Sequence, residues 1–226
     1  MLKLAPILLA LGYGLLAYRL SVWRTKRELD DKSSELADPI LRVHLDQMAH
    51  ALGVDRVRVF IYEIDPVNGL AAPDGRIFIT RGFLRKYREG LVTAEEMASV
   101  FAHELGHVAL GHAKRRMMDF SGQNALRMTL GMILGRFIPF VGWYIAELLT
   151  RLVSARLSRA DEYEADAYAA ALLTKAGIGT GPQISLFQKL EKLTGAGGQP
   201  LAWLASHPKT QERIAALNVL EARWQP

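Results

Sequence analysis

The hydrophobic pattern of the chain starts with an apolar run at residues 4–23, which contains a single charge, Arg19. As an α-helix this run spans roughly 30 Å, the thickness of one hydrocarbon core, with the Arg19 side chain reaching towards the lipid headgroups. We therefore predict an N-terminal hydrophobic anchor helix at residues 1–26. A cleaved signal peptide is the alternative, because Lys3 supplies a small basic segment in front of the run.

More positive charge follows this run than precedes it. Arg24, Lys26 and Arg27 come directly after it, whereas Lys3 and the amino terminus lie before it. By the positive-inside rule, an anchor of this kind leaves the rest of the chain in the cytoplasm. Cleavage of a signal peptide would instead give a periplasmic or secreted protein.

The middle of the chain alternates between helical and extended patterns. Apolar residues at helical spacing predict a helix at residues 40–52, and β-branched and aromatic residues predict a strand at 56–64. Residues 68–80 predict two short extended pieces joined by a Pro-Asp-Gly turn. Beyond Thr93, which forms a capping-box signature with Glu96, the chain is helical apart from short loops. The pattern predicts an α+β fold that is mainly helical and has a small β-sheet.

A second apolar region lies at residues 128–149. Arg136 and Pro139 interrupt it and Glu147 lies near its end, so a clean second membrane span is not predicted. One interpretation of the apolar insertion at residues 121–153 is an interfacial helical hairpin or a lid over the core. The other is a pair of ordinary core helices.

Composition narrows the class of protein. The 226 residues are 50% hydrophobic and 23% charged, which suits one sizeable domain, and we place it at residues 38–226. The net charge of +5 is modest, and basic residues lie beside apolar runs. This pattern favours a lipid membrane as a partner and indicates that the chain does not bind nucleic acid. Since the chain has no cysteine, any metal site has to use nitrogen and oxygen donors.

The stretch HELGH at residues 103–107 carries the first candidate chemistry. His103 and His107 are four residues apart, so on a helix both imidazoles project from one face towards one point. Glu104 lies about 100° around the helix from His103, where a base can reach water at a metal ion. An accidental polar stripe on a helix is the alternative.

A catalytic zinc site needs three protein ligands and one open position. His112 is one candidate for the third ligand. However, the three-histidine pattern of another protease group requires glycine at position 110 and histidine at position 113, where this chain has leucine and alanine. The third ligand is therefore expected further along the chain.

The segment SRADEYEADAYAA at residues 158–170 is a better source of that ligand. Ser158 can cap a helix that starts here, and Glu162 and Asp166 share one face of it. Such a pair can supply one ligand carboxylate and a second carboxylate that holds a ligand imidazole by its other N–H. A solvated acidic face is the alternative.

Together, HELGH, SRADEYEAD and SHPKTQERI resemble the motifs of the membrane metallopeptidase family that includes HtpX and the CAAX prenyl proteases. These enzymes are gluzincins, in which a glutamate is the third zinc ligand. The similarity covers about residues 52–220, and the segment at 75–84 is similar to the one that supplies the family's edge strand above the cleft. One departure is that HtpX-type enzymes have clear membrane spans where this chain has only the interrupted region 128–149.

The resemblance implies a zincin-like gluzincin catalytic domain that binds one Zn²⁺ per chain. The implied zinc ligands are His103, His107 and Glu162, and the implied general base is Glu104. Asp166 would orient His103, and Arg76, Ile77 and Phe78 would bind extended peptide. His207 would donate a hydrogen bond to the oxyanion, or else it lies at the start of a helix. Arg213 would lie near the cleft, or else it pairs with a carboxylate.

The resemblance further implies a membrane-anchored metalloendopeptidase of the bacterial inner (cell) membrane. Its polypeptide substrates would be unfolded, extended or membrane-associated, as in protein quality control. A membrane-tethered chaperone or adaptor that binds extended polypeptide without cleavage is the alternative, although Glu104 would then have no task. A structural zinc site is disfavoured because no fourth ligand is evident. Prenyl-protein processing is disfavoured because the chain is too short for several membrane spans.

Overall fold

The computed structural model of the protein describes residues 5–72, 74–112, 142–195 and 210–224, together with residues 115, 127, 130, 131, 134, 136, 138, 141, 202, 203 and 207. The chain forms two compact units, one of Met1–Asp31 and His112–Ala160 and the other of Lys32–Gly111 and Asp161–Pro226. Much of the predicted insertion at residues 121–153 lies outside the described residues, so neither interpretation of it is tested.

Helices dominate the described residues, as the sequence predicts. In chain order the elements are α1 (Ala5–Asp31), β1 (Ser33–Glu35), α2 (Pro39–Leu52), β2 (Val59–Tyr62), β3 (Gly69–Ala71), β4 (Ile77–Thr80), α3 (Arg81–Arg88), α4 (Ala94–Ala109), α5 (Gly142–Lys175), α6 (Gly181–Gly195) and α7 (Thr210–Trp224). The predicted α+β class with a small sheet is confirmed.

Local sequence signals account for the ends of two helices. Asp38 caps α2, because its carboxylate accepts hydrogen bonds from two backbone N–H groups of the first turn at 3.0 and 3.1 Å. Gly53 ends α2 in the left-handed conformation, with φ of 70°. At the start of α4, the Thr93 hydroxyl accepts the Glu96 N–H and the Glu96 carboxylate accepts the Thr93 N–H, which completes the predicted capping box.

The four strands form one mixed sheet in the order β1-β2-β4-β3. β2 and β4 are parallel, whereas β1 pairs with β2 and β3 pairs with β4 in antiparallel fashion. β4 therefore has a partner on each side, and all four of its residues are buried. The prediction that Arg76, Ile77 and Phe78 belong to an edge strand is wrong for this reason: the edge beside β4 is β3.

The main hydrophobic core lies in the second unit, between the sheet and helices α2, α3, α4 and α6. The helix α4 is enclosed so fully that every residue from Glu96 to Glu104 is buried. A smaller apolar cluster, which includes Phe187 and Leu217, joins α7 to α5 and α6. The HELGH segment is consequently held inside a packed helix, and its polar side chains have to find partners within the protein.

Residues 5–26 of the predicted anchor belong to α1, a helix of 27 residues, and residues 1–4 lie outside the described residues. Among the residues that the structure describes, no helix combines the length and the apolar character that crossing a membrane requires.

Candidate metal centre

Helix α4 places His103 and His107 one turn apart with their ring nitrogens facing each other. The two Nε2 atoms are 3.1 Å apart, and the side chains are only 2% and 3% exposed. Glu104 follows His103 on the same helix and is buried as well. Both imidazoles therefore direct a ring nitrogen towards the same point, as their spacing in the sequence indicates.

Helix α5 brings Glu162 to the same point from the other side. Its Oε2 atom lies 3.5 Å from His103 Nε2 and its Oε1 atom lies 3.6 Å from His107 Nε2. Close packing of the two helices makes this possible, because Gly106 has no side chain: a Cβ there would lie 3.0 Å from the carbonyl oxygen of Ala165. A glycine on one helix and an alanine on the other thus bring the three side chains together.

Asp166, one turn after Glu162 on α5, holds His103 from behind. Its Oδ1 atom lies 3.0 Å from His103 Nδ1, so the ring N–H can donate to the carboxylate and leave Nε2 to face Glu162. Arg213 of α7 donates to both oxygens of Asp166, through Nε at 2.6 Å and Nη2 at 2.7 Å. The structure therefore has Arg213 in both predicted places, because it pairs with a carboxylate and its Nη1 atom also lies 3.6 Å from Glu162 Oε2.

His207 also enters the cluster. Its Nδ1 atom lies 2.5 Å from Glu162 Oε2 and 3.3 Å from His103 Nε2, and its Nε2 atom lies 3.8 Å from Glu104 Oε1. His103, His107, Glu162 and His207 each offer one donor atom, all within 4.8 Å of one another. The expectation that no fourth ligand lies near is wrong.

The charges around the histidines determine their protonation. Burial lowers the pKa of His103, but its hydrogen bonds with Asp166 and Glu162 outweigh burial and raise that pKa to about 9. Burial acts to raise the pKa of Glu162, yet hydrogen bonds with His103 and His207 hold it well below its usual range. Burial lowers the pKa of His207 to about 4. The site therefore favours a positive charge at His103, and a metal cation would meet the same field in place of that proton.

The donor set fits zinc. Zinc accepts imidazole nitrogen and carboxylate oxygen in a tetrahedron with bonds of about 2.0–2.2 Å, which keeps ligand atoms about 3.3–3.6 Å apart. The three separations among His103, His107 and Glu162 are 3.1, 3.5 and 3.6 Å. The hydrogen bond between a ligand imidazole and Asp166 is the outer support that zinc sites use.

Two further residues at the centre were not predicted from sequence. The indole of Trp203 stacks on the His207 ring with 4.1 Å between centroids. Gly69 of β3 faces Glu104 so closely that a Cβ would lie 2.8 Å from Glu104 Oε1. The only sequence signals are an aromatic residue four positions before His207 and a glycine within a short extended segment.

Comparison with known sequences identifies the family of this chain. The model of peptidase family M48 matches residues 35–221. The chain is 31% identical over 192 residues to metalloprotease LoiP of Escherichia coli (strain K12), covering 83% of this chain and 73% of LoiP. It is 28% identical over 209 residues to a protease HtpX homolog of Bordetella avium, covering 76% and 67% of the two chains. It is 25% identical over 178 residues to human mitochondrial metalloendopeptidase OMA1, covering 74% of this chain and 33% of OMA1.

The matched range contains all of the residues assembled above, from the HELGH helix to Arg213. A match of this length, together with relatives named as metalloproteases, confirms the resemblance to the HtpX type. The chain therefore belongs to peptidase family M48 and is a zinc metalloendopeptidase of the gluzincin type.

Proposed function

We propose that the chain cleaves peptide bonds within extended polypeptides, with one zinc ion held by His103, His107 and Glu162. The observation that supports this most directly is the convergence of two helices on one point, where Glu162 lies 3.5 and 3.6 Å from the two ring nitrogens. A buried carboxylate between two buried imidazoles is costly unless a cation or a proton joins them.

Each of the surrounding residues has a task in this reaction. When bound, zinc polarises the scissile carbonyl and lowers the pKa of its water to about 7. Glu104 takes a proton from the attacking water and passes it to the leaving amine nitrogen. Asp166 accepts the N–H of His103 Nδ1, and Arg213 holds Asp166 in place, so that Nε2 of His103 keeps its direction.

His207 donates a hydrogen bond to the carbonyl oxygen as negative charge develops on it. With a pKa lowered to about 4 by burial, the ring is neutral at pH 7 and carries one N–H. Its Nε2 atom lies 3.8 Å from Glu104 Oε1, so the ring stands beside the assigned base. Loss of a donor of this kind typically lowers the rate by about 10²–10³.

The edge of the sheet is the binding surface that we propose for the polypeptide. The Thr80 N–H donates to the Asn68 carbonyl at 3.0 Å and the Ala72 N–H to the Arg76 carbonyl at 2.8 Å, so these residues of the β3 segment pair with β4. By the alternation of an antiparallel strand, Gly69 and its second neighbour Ala71 direct their backbone groups the other way. An extended peptide added there lies next to Glu104 and is recognised by its backbone, which gives broad specificity.

The test is zinc content and casein cleavage by the purified chain, with and without a chelator. We expect wild type to bind one zinc ion per chain and to lose cleavage when the ion is removed. Glu104→Gln should keep its zinc and lose cleavage, and its control, Glu95→Gln, changes an exposed glutamate of the same helix. Cleavage that persists in Glu104→Gln would refute the assigned base.

The third ligand is tested separately. Glu162→Ala should lose zinc, whereas Glu95→Ala, which changes an exposed carboxylate of α4, should retain it. Unchanged zinc content in Glu162→Ala contradicts the proposal. Zinc bound with full stoichiometry but without any peptide hydrolysis would favour the adaptor that binds extended polypeptide without cleavage.

We also propose that the chain works at a membrane surface. Leu16, Leu20 and Trp23 of α1 are 58%, 46% and 55% exposed and follow one another at helical spacing, with basic residues such as Arg19 and Arg24 beside them. The wild-type chain should float with vesicles that contain anionic lipid, and a Leu16→Asp/Leu20→Asp variant should not. Equal recovery of both proteins in the vesicle fraction would contradict this attachment.

A further inference from the structure

Among the described residues, Trp203 has the largest of the fully buried side chains, with 1% of its surface exposed. It belongs to the main hydrophobic core and meets the Phe83 ring edge-on, with 6.1 Å between centroids. Its indole also reaches the site, because a Cβ on Gly69 would lie 3.0 Å from Trp203 Cζ3. One face of the core therefore extends, through this side chain, to the catalytic residues.

The contact between Trp203 and His207 is the closest aromatic contact at the centre. The ring centroids are 4.1 Å apart and the planes are inclined by 31°, which is an offset stack. The backbone N–H of His207 also donates to the backbone carbonyl of Trp203 at 2.7 Å. Because backbone and ring are held by the same residue, the direction of the imidazole depends on the position of the indole.

A second backbone bond joins Trp203 to the substrate edge. The Trp203 N–H donates to the carbonyl of Val67 at 2.9 Å, two residues before Gly69. That carbonyl points away from β4, like those of Gly69 and Ala71, so Trp203 occupies the edge just before the stretch that faces Glu104. The edge strand and His207 are thus connected through one residue.

We infer that Trp203 is a positioning residue for His207, which it holds by stacking and by the backbone bond while it is itself held by the core and the edge strand. The inference rests on the proposed function, in which His207 donates to the oxyanion. Trp203 touches neither the peptide bond nor the ion in this role. The indole is also 5.5 Å from the His103 ring, a looser contact than the 4.1 Å stack on His207. Its replacement should therefore change the catalytic rate mainly through His207 and leave zinc in place.

The test is a double-mutant cycle on the zinc-loaded full chain, with cleavage of one fluorogenic peptide. Trp203→Leu should lower kcat by about 2- to 10-fold, the range expected for an aromatic pair, with KM changed less than about 2-fold. In a His207→Ala background the same substitution should have almost no further effect. Trp203→Phe, which keeps an aromatic ring, should restore most of kcat.

Two controls separate positioning from damage to the core. Leu45→Ala, at a residue 1% exposed in the same core and far along the chain from the site, should lower the unfolding temperature and leave kcat unchanged. The NMR signals of the His207 ring in the metal-free chain give a readout that needs no activity. Ring-current shielding by the indole should move them upfield in wild type and should be lost in Trp203→Leu.

The outcomes are distinct. Unchanged His207 signals in Trp203→Leu, or an equal fall in kcat with and without His207, overturns the inference while zinc-dependent cleavage by wild type still stands. Should Trp203→Leu fail to fold, Trp203→Phe carries the NMR measurement: the smaller ring should shield the His207 signals less than the indole does, and unchanged signals would again overturn the inference. A wild-type chain that binds zinc and never cleaves would overturn the proposed function, and the kinetic part of the inference with it.

Discussion

Substitution of Gly106 by alanine tests whether close packing of α4 on α5 forms the metal centre. The added Cβ would lie 3.0 Å from the Ala165 carbonyl oxygen and 3.1 Å from its Cα. Favourable contacts between such atoms begin at about 3.5 Å, so the helices have to separate by up to about half an ångström. Both contacting atoms are backbone atoms in a helix, and neither can move alone.

The expected magnitude follows from two opposing effects. Alanine stabilises the interior of a helix by about 1 kcal/mol relative to glycine, whereas overpacking costs about 1–3 kcal/mol. The metal-free protein should therefore lose at most about 2 kcal/mol of unfolding free energy. Zinc binding, however, requires Glu162 to return to the histidines against the whole overpacking cost, which corresponds to a Kd about 5- to 150-fold higher.

The assay is a competition between the protein and a chromophoric chelator for zinc, beside thermal unfolding of the metal-free protein. Gly181→Ala is the matched control, since Gly181 lies in the first turn of α6 and a Cβ there has no atom within 4 Å. The control should keep the wild-type Kd. A Gly106→Ala variant with wild-type affinity for zinc and an unchanged unfolding temperature would refute the packing argument.

Three more predictions concern charge and spacing at the centre. Arg213→Met leaves the Asp166 carboxylate buried without its main partner and should destabilise the protein by about 3–5 kcal/mol in urea unfolding; a loss below about 1 kcal/mol would contradict the importance of this pair. Because the pKa of His103 is raised to about 9, the metal-free chain carries a proton on this ring at pH 7, and zinc binding should release about one proton. Zinc affinity should accordingly rise with pH up to about 9. Calorimetry in two buffers of different ionisation enthalpy measures the number of protons released, and no release would contradict the prediction. Gly69→Ala should displace Glu104, since the Cβ would lie 2.8 Å from its Oε1, and should lower kcat roughly tenfold with zinc retained; wild-type kcat would show that the strand does not press on the base.

Elements with local signals could be predicted from the sequence. The Thr93–Glu96 capping box begins α4, and residues 68–80 form two short strands. Each of these features depends on neighbouring residues alone, so no tertiary information is needed. The spacing of His103 and His107 belongs to the same class, because the geometry of one helix determines it.

Elements that depend on continuity or on partners could not be predicted in this way. Ser158 has the side chain of a helix cap but lies inside α5, which begins at Gly142. A cap contributes only about 1 kcal/mol, and a new start at Ser158 would break backbone hydrogen bonds that the continuous helix already has. For residues 77–80 the sequence does contain a signal for an interior strand, because a run of four apolar or small residues is typical of a strand buried on both faces.

The site depends on absent side chains as much as on ligands. Gly106 allows α5 to approach α4, and Gly69 allows β3 to approach Glu104, in both cases at distances that a single methyl group would prevent. Neither residue carries a charge or has a side chain that could bind the ion. A chain with both histidines and Glu162 but with larger residues at these two positions would keep every ligand and lose their spacing. Ligand motifs therefore identify the chemistry, and the glycines beside them decide whether helix and strand come close enough to perform it.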